Sequence, residues 1–224
     1  MPFFFFLSSL IVFLIGTLTP IHRSEAKTPT AQVYQGVASP ISPSVQKRMV
    51  NVSWRPNCPV ALEGLSYLQM SHWGLDGKIH QGEMVVAKEV ADEVIAVFKD
   101  LFTHKFPINR MRLVSDYGGN DESSMQANNT SAFNCRWVTG KKNVFSKHSY
   151  GRAIDINPLI NPYVSKRGVE PRSGAPYADR SQKHPGMIFR GDVCHQAFIS
   201  RDWTWGGTWR SLKDYQHFEK GKKK

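Results

Sequence analysis

Two residues of the sequence, His148 and Asp155, have the types and spacing of metal ligands. They lie in the run Ser146-Lys147-His148-Ser149-Tyr150-Gly151-Arg152-Ala153-Ile154-Asp155. If residues 152–157 form a strand, alternation places the Asp155 carboxylate on the same face as the small side chain of Ala153. Gly151 allows the backbone to turn, so that His148 can approach the same point. This run therefore supplies half of a metal site.

The missing ligand is predicted to be His217, in the segment Asp214-Tyr215-Gln216-His217 near the C-terminus. Two imidazoles and one carboxylate leave the fourth tetrahedral position of a zinc ion open to water, as in catalytic sites. Zinc lowers the pKa of such a water to about 7. Asp214 can then act as general base, provided that the chain bends before His217, because on a straight strand the two side chains face opposite sides.

The elements that must position these residues can be predicted only coarsely. Residues 54–73 indicate a short helix and a turn, and residues 111–115 indicate a strand. Residues 84–102 have valines and leucines at helical spacing and predict a helix that packs against a sheet. The polar segment 116–136 is either a surface loop or a wall of the active site. Residues 158–186 predict a long loop over the cleft.

The N-terminus has the features of a secretory signal peptide. An apolar run over residues 3–18 is followed by Ser24-Glu25-Ala26, which has small residues at the positions of a cleavage site. We therefore expect residues 1–26 to be removed and the protein to be secreted, extracellular or periplasmic; the alternative is an uncleaved anchor. Residues 27–50 predict a linker or N-terminal arm, residues 51–219 a single folded domain, and residues 220–224 a basic tail.

Charge and cysteine content limit the possible partners and covalent links. The formal net charge is +11, which favours peripheral association with an anionic wall or membrane surface. No basic stripe interleaved with aromatic residues indicates a nucleic-acid partner, and we expect a monomer. The three cysteines, Cys58, Cys135 and Cys194, allow one disulfide, and the sequence leaves its pairing open.

The metal-ligand run carries a resemblance to a known family. The pattern Ser146-x-His148-x-x-Gly151-x-Ala153-x-Asp155 resembles the motif of the zinc D-alanyl-D-alanine carboxypeptidases, peptidase family M15. Asp214-x-x-His217 also fits, with Asp where the dipeptidase branch has Glu. The resemblance extends from about residue 54 to residue 219 and includes further motifs typical of one exported bacterial branch: His80-x-Gly82-Glu83, Tyr117-Gly118-Gly119, Asn128-Asn129-Thr130-Ser131, Phe133-Asn134-Cys135-Arg136 and Trp205-Gly206-Gly207-x-Trp209.

The resemblance implies a fold and a set of roles. The fold is a single α+β domain of the Hedgehog and D-alanyl-D-alanine peptidase type, with a central antiparallel sheet flooring the zinc cleft and helices on one side. One zinc ion is bound by His148, Asp155 and His217, and Asp214 is the general base. An upstream arginine stabilises the oxyanion; Arg136 is our choice, and Arg112 is the alternative.

The sequence therefore predicts a secreted zinc metallopeptidase that cleaves peptidoglycan stem peptides. Both D-Ala-D-Ala carboxypeptidase and L-Ala-D-Glu endopeptidase activities fit the motifs. The alternative is a non-catalytic zinc-containing module that binds cell wall or polysaccharide, because a fold alone does not determine function. Asp214 favours the enzyme, since a binding module has no need of a general base.

Overall fold

The computed structural model describes residues 1–3 and 33–221. Apart from its first three residues, the predicted signal peptide lies outside the described residues and stays a prediction. Within the described ranges, no helix combines the length and the apolar composition needed to cross a bilayer.

From Val33 onward the chain forms one compact unit. Its helices, in chain order, are α1 (Pro43–Met49), α2 (Ala91–Thr103), α3 (Asp121–Gln126) and α4 (Val193–Ile199). Its strands are β1 (Gly36–Pro40), β2 (Leu65–Trp73), β3 (Ile79–Ala87), β4 (Arg110–Met111), β5 (Asn129–Thr130), β6 (Ala153–Asp155), β7 (Tyr163–Ser165), β8 (Gly168–Glu170), β9 (Trp203–Trp205), β10 (Lys213–Asp214) and β11 (His217–Lys220).

The strands form small sheets rather than one central sheet. Three antiparallel sheets have the orders β1-β2-β3, β10-β7-β8 and β6-β11-β9, and β4 and β5 form a short parallel pair. The predicted α+β class is confirmed. The predicted cleft floor is divided, because the chain changes from one sheet to another between β10 and β11.

The main core lies between the strands and the helices α2 and α4. Val94, Val97 and Leu101 of α2 are fully buried in it, together with Phe198 of α4. The Phe198 ring stacks on Phe218 of β11 at a centroid distance of 4.0 Å. Burial of such large side chains stabilises each by about 1.5–3 kcal/mol, so the core fixes the strand that carries His217.

The helix predicted over residues 84–102 is wrong in its first part. Residues up to Ala87 belong to β3, a 3-10 turn (Lys88–Val90) follows, and α2 begins only at Ala91. The apolar end of β3 is buried on both faces, so it lacks the alternation that would have identified a strand. Similarly, residues 65–73 form β2 instead of the expected helix and turn.

The segment expected to be a linker is part of the fold from residue 33 onward. β1 pairs with β2, and α1 buries Val45 and Met49 in a second small core. Ser42 caps α1 with its hydroxyl, which accepts a hydrogen bond from Val45 N. Because most residues of this segment are polar, the few apolar side chains that pack do not stand out in the sequence.

The C-terminal boundary also differs from the expected one. Lys220 is the last residue of β11 and is buried, and its Nζ donates to both carboxylate oxygens of Glu93 at 2.8 Å. A buried lysine requires such a partner. The folded domain therefore includes Lys220, the first residue of the expected basic tail.

Cys58 and Cys135 form a disulfide, which resolves the pairing that the sequence left open. The bond joins positions 77 residues apart, and their Cα atoms are 6.0 Å apart. Cys194 is a free thiol buried in the main core.

Candidate metal centre

The register of β6 and β11 places two of the predicted ligands side by side. Asp155 and His217 are directly opposite each other in this antiparallel pair, and Ile154 is opposite Phe218. Directly opposed side chains project from the same face, with their Cβ atoms about 5 Å apart. Because Ile154 and Phe218 are both fully buried in the core, the alternate face must carry Asp155 and His217.

His148 reaches this face from a 3-10 helix (Lys147–Tyr150). The Ser146 hydroxyl caps the helix by accepting a hydrogen bond from His148 N at 3.3 Å. Gly151 ends it with a left-handed backbone (φ 64°), and a Cβ at this position would collide with the backbone of Ala87. The chain can therefore turn directly from His148 into β6 only because glycine stands here.

The three side chains converge on one point. His148 Nε2 lies 3.2 Å from Asp155 Oδ2, and His217 Nδ1 lies 3.0 Å from Asp155 Oδ1. The two imidazole nitrogens are 3.3 Å apart. Each residue offers one possible metal-ligand atom, and these three atoms all lie within 4.8 Å of one another, a spacing that could hold a metal ion. The predicted convergence is therefore observed.

Hydrogen bonds on the far side of each imidazole determine which nitrogen faces the cluster. His148 Nδ1 lies 2.6 Å from the Ala132 carbonyl oxygen, to which it can only donate. His217 Nε2 lies 3.2 Å from Glu219 Oε2. His148 Nε2 and His217 Nδ1 are therefore the nitrogens that face Asp155, and after loss of any proton they carry they would offer lone pairs to a metal ion, as metal-binding histidines do.

The electrostatics of the cluster favour a positive charge. Burial alone would raise the pKa of Asp155, but the facing His148 and His217 imidazoles outweigh it and hold that pKa well below its usual range. Burial lowers the pKa of His217, whereas hydrogen bonds to Asp155 and Glu219 raise it more strongly, to about 10. A divalent cation can supply the positive charge that a proton otherwise provides, so this donor set fits a metal such as zinc.

Asp214 lies on a different sheet from His217. β10 pairs with β7, opposite Tyr163, whereas β11 pairs with β6 and β9. This change of sheet is the bend that the sequence argument required between Asp214 and His217. Gly206 packs directly against the backbone of Asp214, because a Cβ at position 206 would lie 2.6 Å from the Asp214 carbonyl oxygen.

The Asp214 side chain is half-buried, and its inner oxygen is incompletely bonded. Its Oδ1 has no hydrogen-bond partner among the described residues. Burial raises its pKa to about 6, and the charges of His217, Asp155 and His148 are near enough to modulate that value. A buried carboxyl with a free oxygen and a pKa near neutrality can exchange protons with a bound molecule.

The structure places neither arginine in direct contact with the three-residue cluster. The Arg136 guanidinium forms an ion pair with Asp121, and Arg112 Nη1 lies 3.9 Å from Glu83 Oε1. The backbone of Arg136 is nearer to the site, because its carbonyl accepts a hydrogen bond from Ser146 N at 3.0 Å. The predicted oxyanion role of Arg136 stays a prediction.

The polar segment 116–136 forms a wall of the site in its second half. Residues 128–135 are buried, and Ser131 exchanges two backbone hydrogen bonds with Asp155, at 2.9 and 3.0 Å. The asparagine side chains are satisfied internally; Asn129, for example, bonds the backbone of Arg112 on both sides. The surface-loop alternative is wrong for these residues.

Sequence reasoning missed Glu219 and the Ala132 carbonyl. Glu219 was detectable, because it follows His217 by two positions and therefore shares its strand face. The Ala132 carbonyl is a backbone group whose position depends on the fold, and no residue pattern indicates it.

A cluster of two buried histidines and a half-buried aspartate, beside the half-buried Asp214, defines a candidate metal centre with the residues of a hydrolase. Residues 139–220 match the family model described as D-alanyl-D-alanine carboxypeptidase. This match supports the assignment to peptidase family M15, in agreement with the motif resemblance. The cluster and Asp214 lie within the matched segment, and Arg136 lies just before it. No curated protein and no solved structure was found to match the chain.

Proposed function

We propose that the protein is a secreted zinc metallopeptidase that hydrolyses a peptide bond of peptidoglycan stem peptides. The observation that carries the proposal is the convergence of His148, Asp155 and His217 beside the half-buried Asp214. The family match adds support for a peptidase. A binding module would have no use for a buried carboxyl with an unpartnered oxygen, which costs about 1–3 kcal/mol.

His148 Nε2, His217 Nδ1 and Asp155 would hold the metal. A bound zinc ion supplies Lewis acidity, which polarises a peptide carbonyl and makes water more acidic. Ala132 and Glu219 keep the two imidazoles in the tautomers that ligation needs.

Asp214 would carry the proton through the reaction. As carboxylate it takes a proton from the attacking water, while the water oxygen bonds to the peptide carbon. When the carbon–nitrogen bond breaks, Asp214 returns this proton to the leaving amine. A pKa near 6 suits a group that must both accept and donate near neutral pH.

Arg136 would neutralise the negative charge that develops on the carbonyl oxygen. To do so its guanidinium must exchange Asp121 for the substrate. A fixed cation at this position would lower the barrier by about 3 kcal/mol, as other oxyanion-stabilising groups do.

The proposal is tested with purified muropeptides and mass spectrometry. Zinc-loaded protein should release either a terminal D-alanine or a fragment cut between L-alanine and D-glutamate, and chelation should abolish the reaction. Asp214→Ala is the matched inactive control. Absence of any cleaved stem peptide would contradict the proposal, and zinc-dependent wall binding without cleavage would favour the non-catalytic module.

A further inference from the structure

A short hairpin next to the metal cluster exposes an aromatic side chain. Trp137 and Phe145 form an isolated antiparallel bridge, and Val138 N donates to the Val144 carbonyl at 2.8 Å. We call residues 136–146 the aromatic hairpin. Among residues 33–221, Trp137 is the one Trp, Tyr or Phe side chain that lies exposed, at 43%.

The exposed ring packs against a second aromatic ring. It stacks on Phe145 at a centroid distance of 3.9 Å with an interplanar angle of 24°. Phe145 in turn makes an edge contact with Tyr150, at 6.5 Å. A flat, preorganised aromatic face loses little entropy on binding a ligand, and rigid exposed aromatics of this kind are typical of recognition surfaces.

The aromatic hairpin is continuous with the metal cluster. At its base, Ser146 N donates to the Arg136 carbonyl at 3.0 Å, and the same Ser146 caps the helix that carries His148. The aromatic row ends at Tyr150, two residues after His148. A polymer that lies across Trp137 would therefore pass close to the cluster.

The charge of the aromatic hairpin indicates the kind of polymer. The hairpin contains the exposed Lys141 and Lys142 and no acidic residue, and the exposed Lys147 directly follows it. Stem peptides carry carboxylates, which these lysines would attract, and the sugars that carry the peptides present apolar C–H faces that pack on aromatic rings.

We propose that the aromatic hairpin binds the glycan strand of peptidoglycan, with a sugar ring on Trp137 and stem-peptide carboxylates near Lys141 and Lys142. This inference rests on the proposed function, because it names how polymeric substrate is held beside the same site. A hairpin that binds sugars would distinguish polymeric peptidoglycan from a free stem peptide, which lacks the sugars.

The binding experiment uses sedimentation with purified insoluble peptidoglycan, with the inactive Asp214→Asn variant as background so that no substrate is consumed. Adding Trp137→Ala should weaken binding about tenfold, which corresponds to the upper range for an aromatic contact. Val144→Ala is the matched control, since Val144 is on the same hairpin and equally exposed, at 46%, and binding should be unchanged. Equal binding by the Trp137→Ala and control proteins would overturn the proposal.

Three further measurements define the occupant. Trp137→Phe should retain most of the binding. Glycan strands stripped of peptides should compete with peptidoglycan for binding to the protein that retains Trp137, and should not compete for binding to the Trp137→Ala variant. Phosphatidylglycerol vesicles are the third probe: a greater loss of vesicle binding than of peptidoglycan binding in Trp137→Ala would overturn the proposal in favour of a membrane surface.

Activity separates this inference from the proposed function. In the otherwise native protein, Trp137→Ala should cleave a soluble stem peptide within twofold of the normal rate and cleave insoluble peptidoglycan about tenfold more slowly. If no variant cleaves soluble peptide and Trp137→Ala still loses peptidoglycan binding, the catalytic proposal fails and the glycan inference stands. Equal losses on both substrates would overturn the glycan inference alone.

Discussion

Asp155 and His217 lie directly opposite each other across β6 and β11, with His217 Nδ1 3.0 Å from Asp155 Oδ1. Two of the proposed ligands are thus positioned by one backbone register, and a slip of β11 by one residue would turn His217 to the face opposite Asp155. The third proposed ligand, His148, depends on the turn at Gly151 instead.

Substitution of ligand and base should separate metal binding from turnover. His148→Ala should lose both bound zinc and activity, because it removes one of three ligands. Asp214→Ala should retain zinc and lose about 10²–10⁴-fold in kcat, the usual contribution of a general base. Metal content by atomic emission and kcat on a muropeptide check this prediction. An active Asp214→Ala enzyme would show that another group takes the proton.

Glu219→Gln should weaken zinc binding about 10–100-fold, because Glu219 Oε2 is 3.2 Å from His217 Nε2 and fixes its tautomer. Competition with a chromophoric chelator measures the affinity. Glu122→Gln, at an exposed position of α3, is the control and should not change the zinc affinity. An unchanged affinity in Glu219→Gln would mean that the strand alone orients His217.

Gly151→Ala should destabilise the fold strongly, because φ is 64° and the new Cβ would lie 2.9 Å from the carbonyl carbon of Val86. Gly140→Ala is a control with similar dihedral strain, since φ is 77° and a Cβ there would meet nothing within 4 Å. The control should cost about 1–2 kcal/mol in free energy of unfolding, and Gly151→Ala should cost more. Urea unfolding compares them, and equal costs would refute the steric argument.

The Arg48–Glu83 pair should make stability depend on acid pH. Burial alone would raise the pKa of Glu83, but hydrogen bonds from Arg48 and Tyr67 outweigh it and place that pKa below its ordinary value of 4.5. A depressed pKa contributes stability that is full above 4.5 and is lost as pH falls through the folded-state value.

Unfolding midpoints between pH 7 and pH 3 check this dependence. Glu83→Gln should be less stable than the native protein at pH 7, and the difference should shrink toward pH 3. A constant difference across this range would show that the charge of Glu83 is not involved.

Removal of the Cys58–Cys135 disulfide should destabilise the protein by about 2–5 kcal/mol, since it closes a long loop. The double variant Cys58→Ser, Cys135→Ser tests this by thermal unfolding. Cys194→Ser is the control: it removes only the buried free thiol and keeps the disulfide, so reductant should lower its midpoint as much as that of the native protein. If reductant fails to lower the midpoint of the native protein, the disulfide does not contribute to stability.

The ligand set could be predicted from sequence because its spacing is local or motif-like, as with His148 and Asp155. The sequence predicts the fold less completely than the site. The buried end of β3, Met84 to Ala87, has no alternation, so its pattern predicts the start of a helix instead of a strand. β1 and α1 were missed because only a few residues, such as Val45 and Met49, are apolar. The hydrogen bond from His148 to Ala132 depends on long-range folding, which no pattern of residue types encodes.

The placement of Asp214 and His217 in two different sheets has a practical consequence. Asp214 is aligned by β7 and His217 by β6 and β9, although only two residues separate them. Transplanting the short segment Asp214-Tyr215-Gln216-His217 into a foreign scaffold would therefore carry over the side chains without their relative placement. A designer would have to transfer both supporting sheets as well.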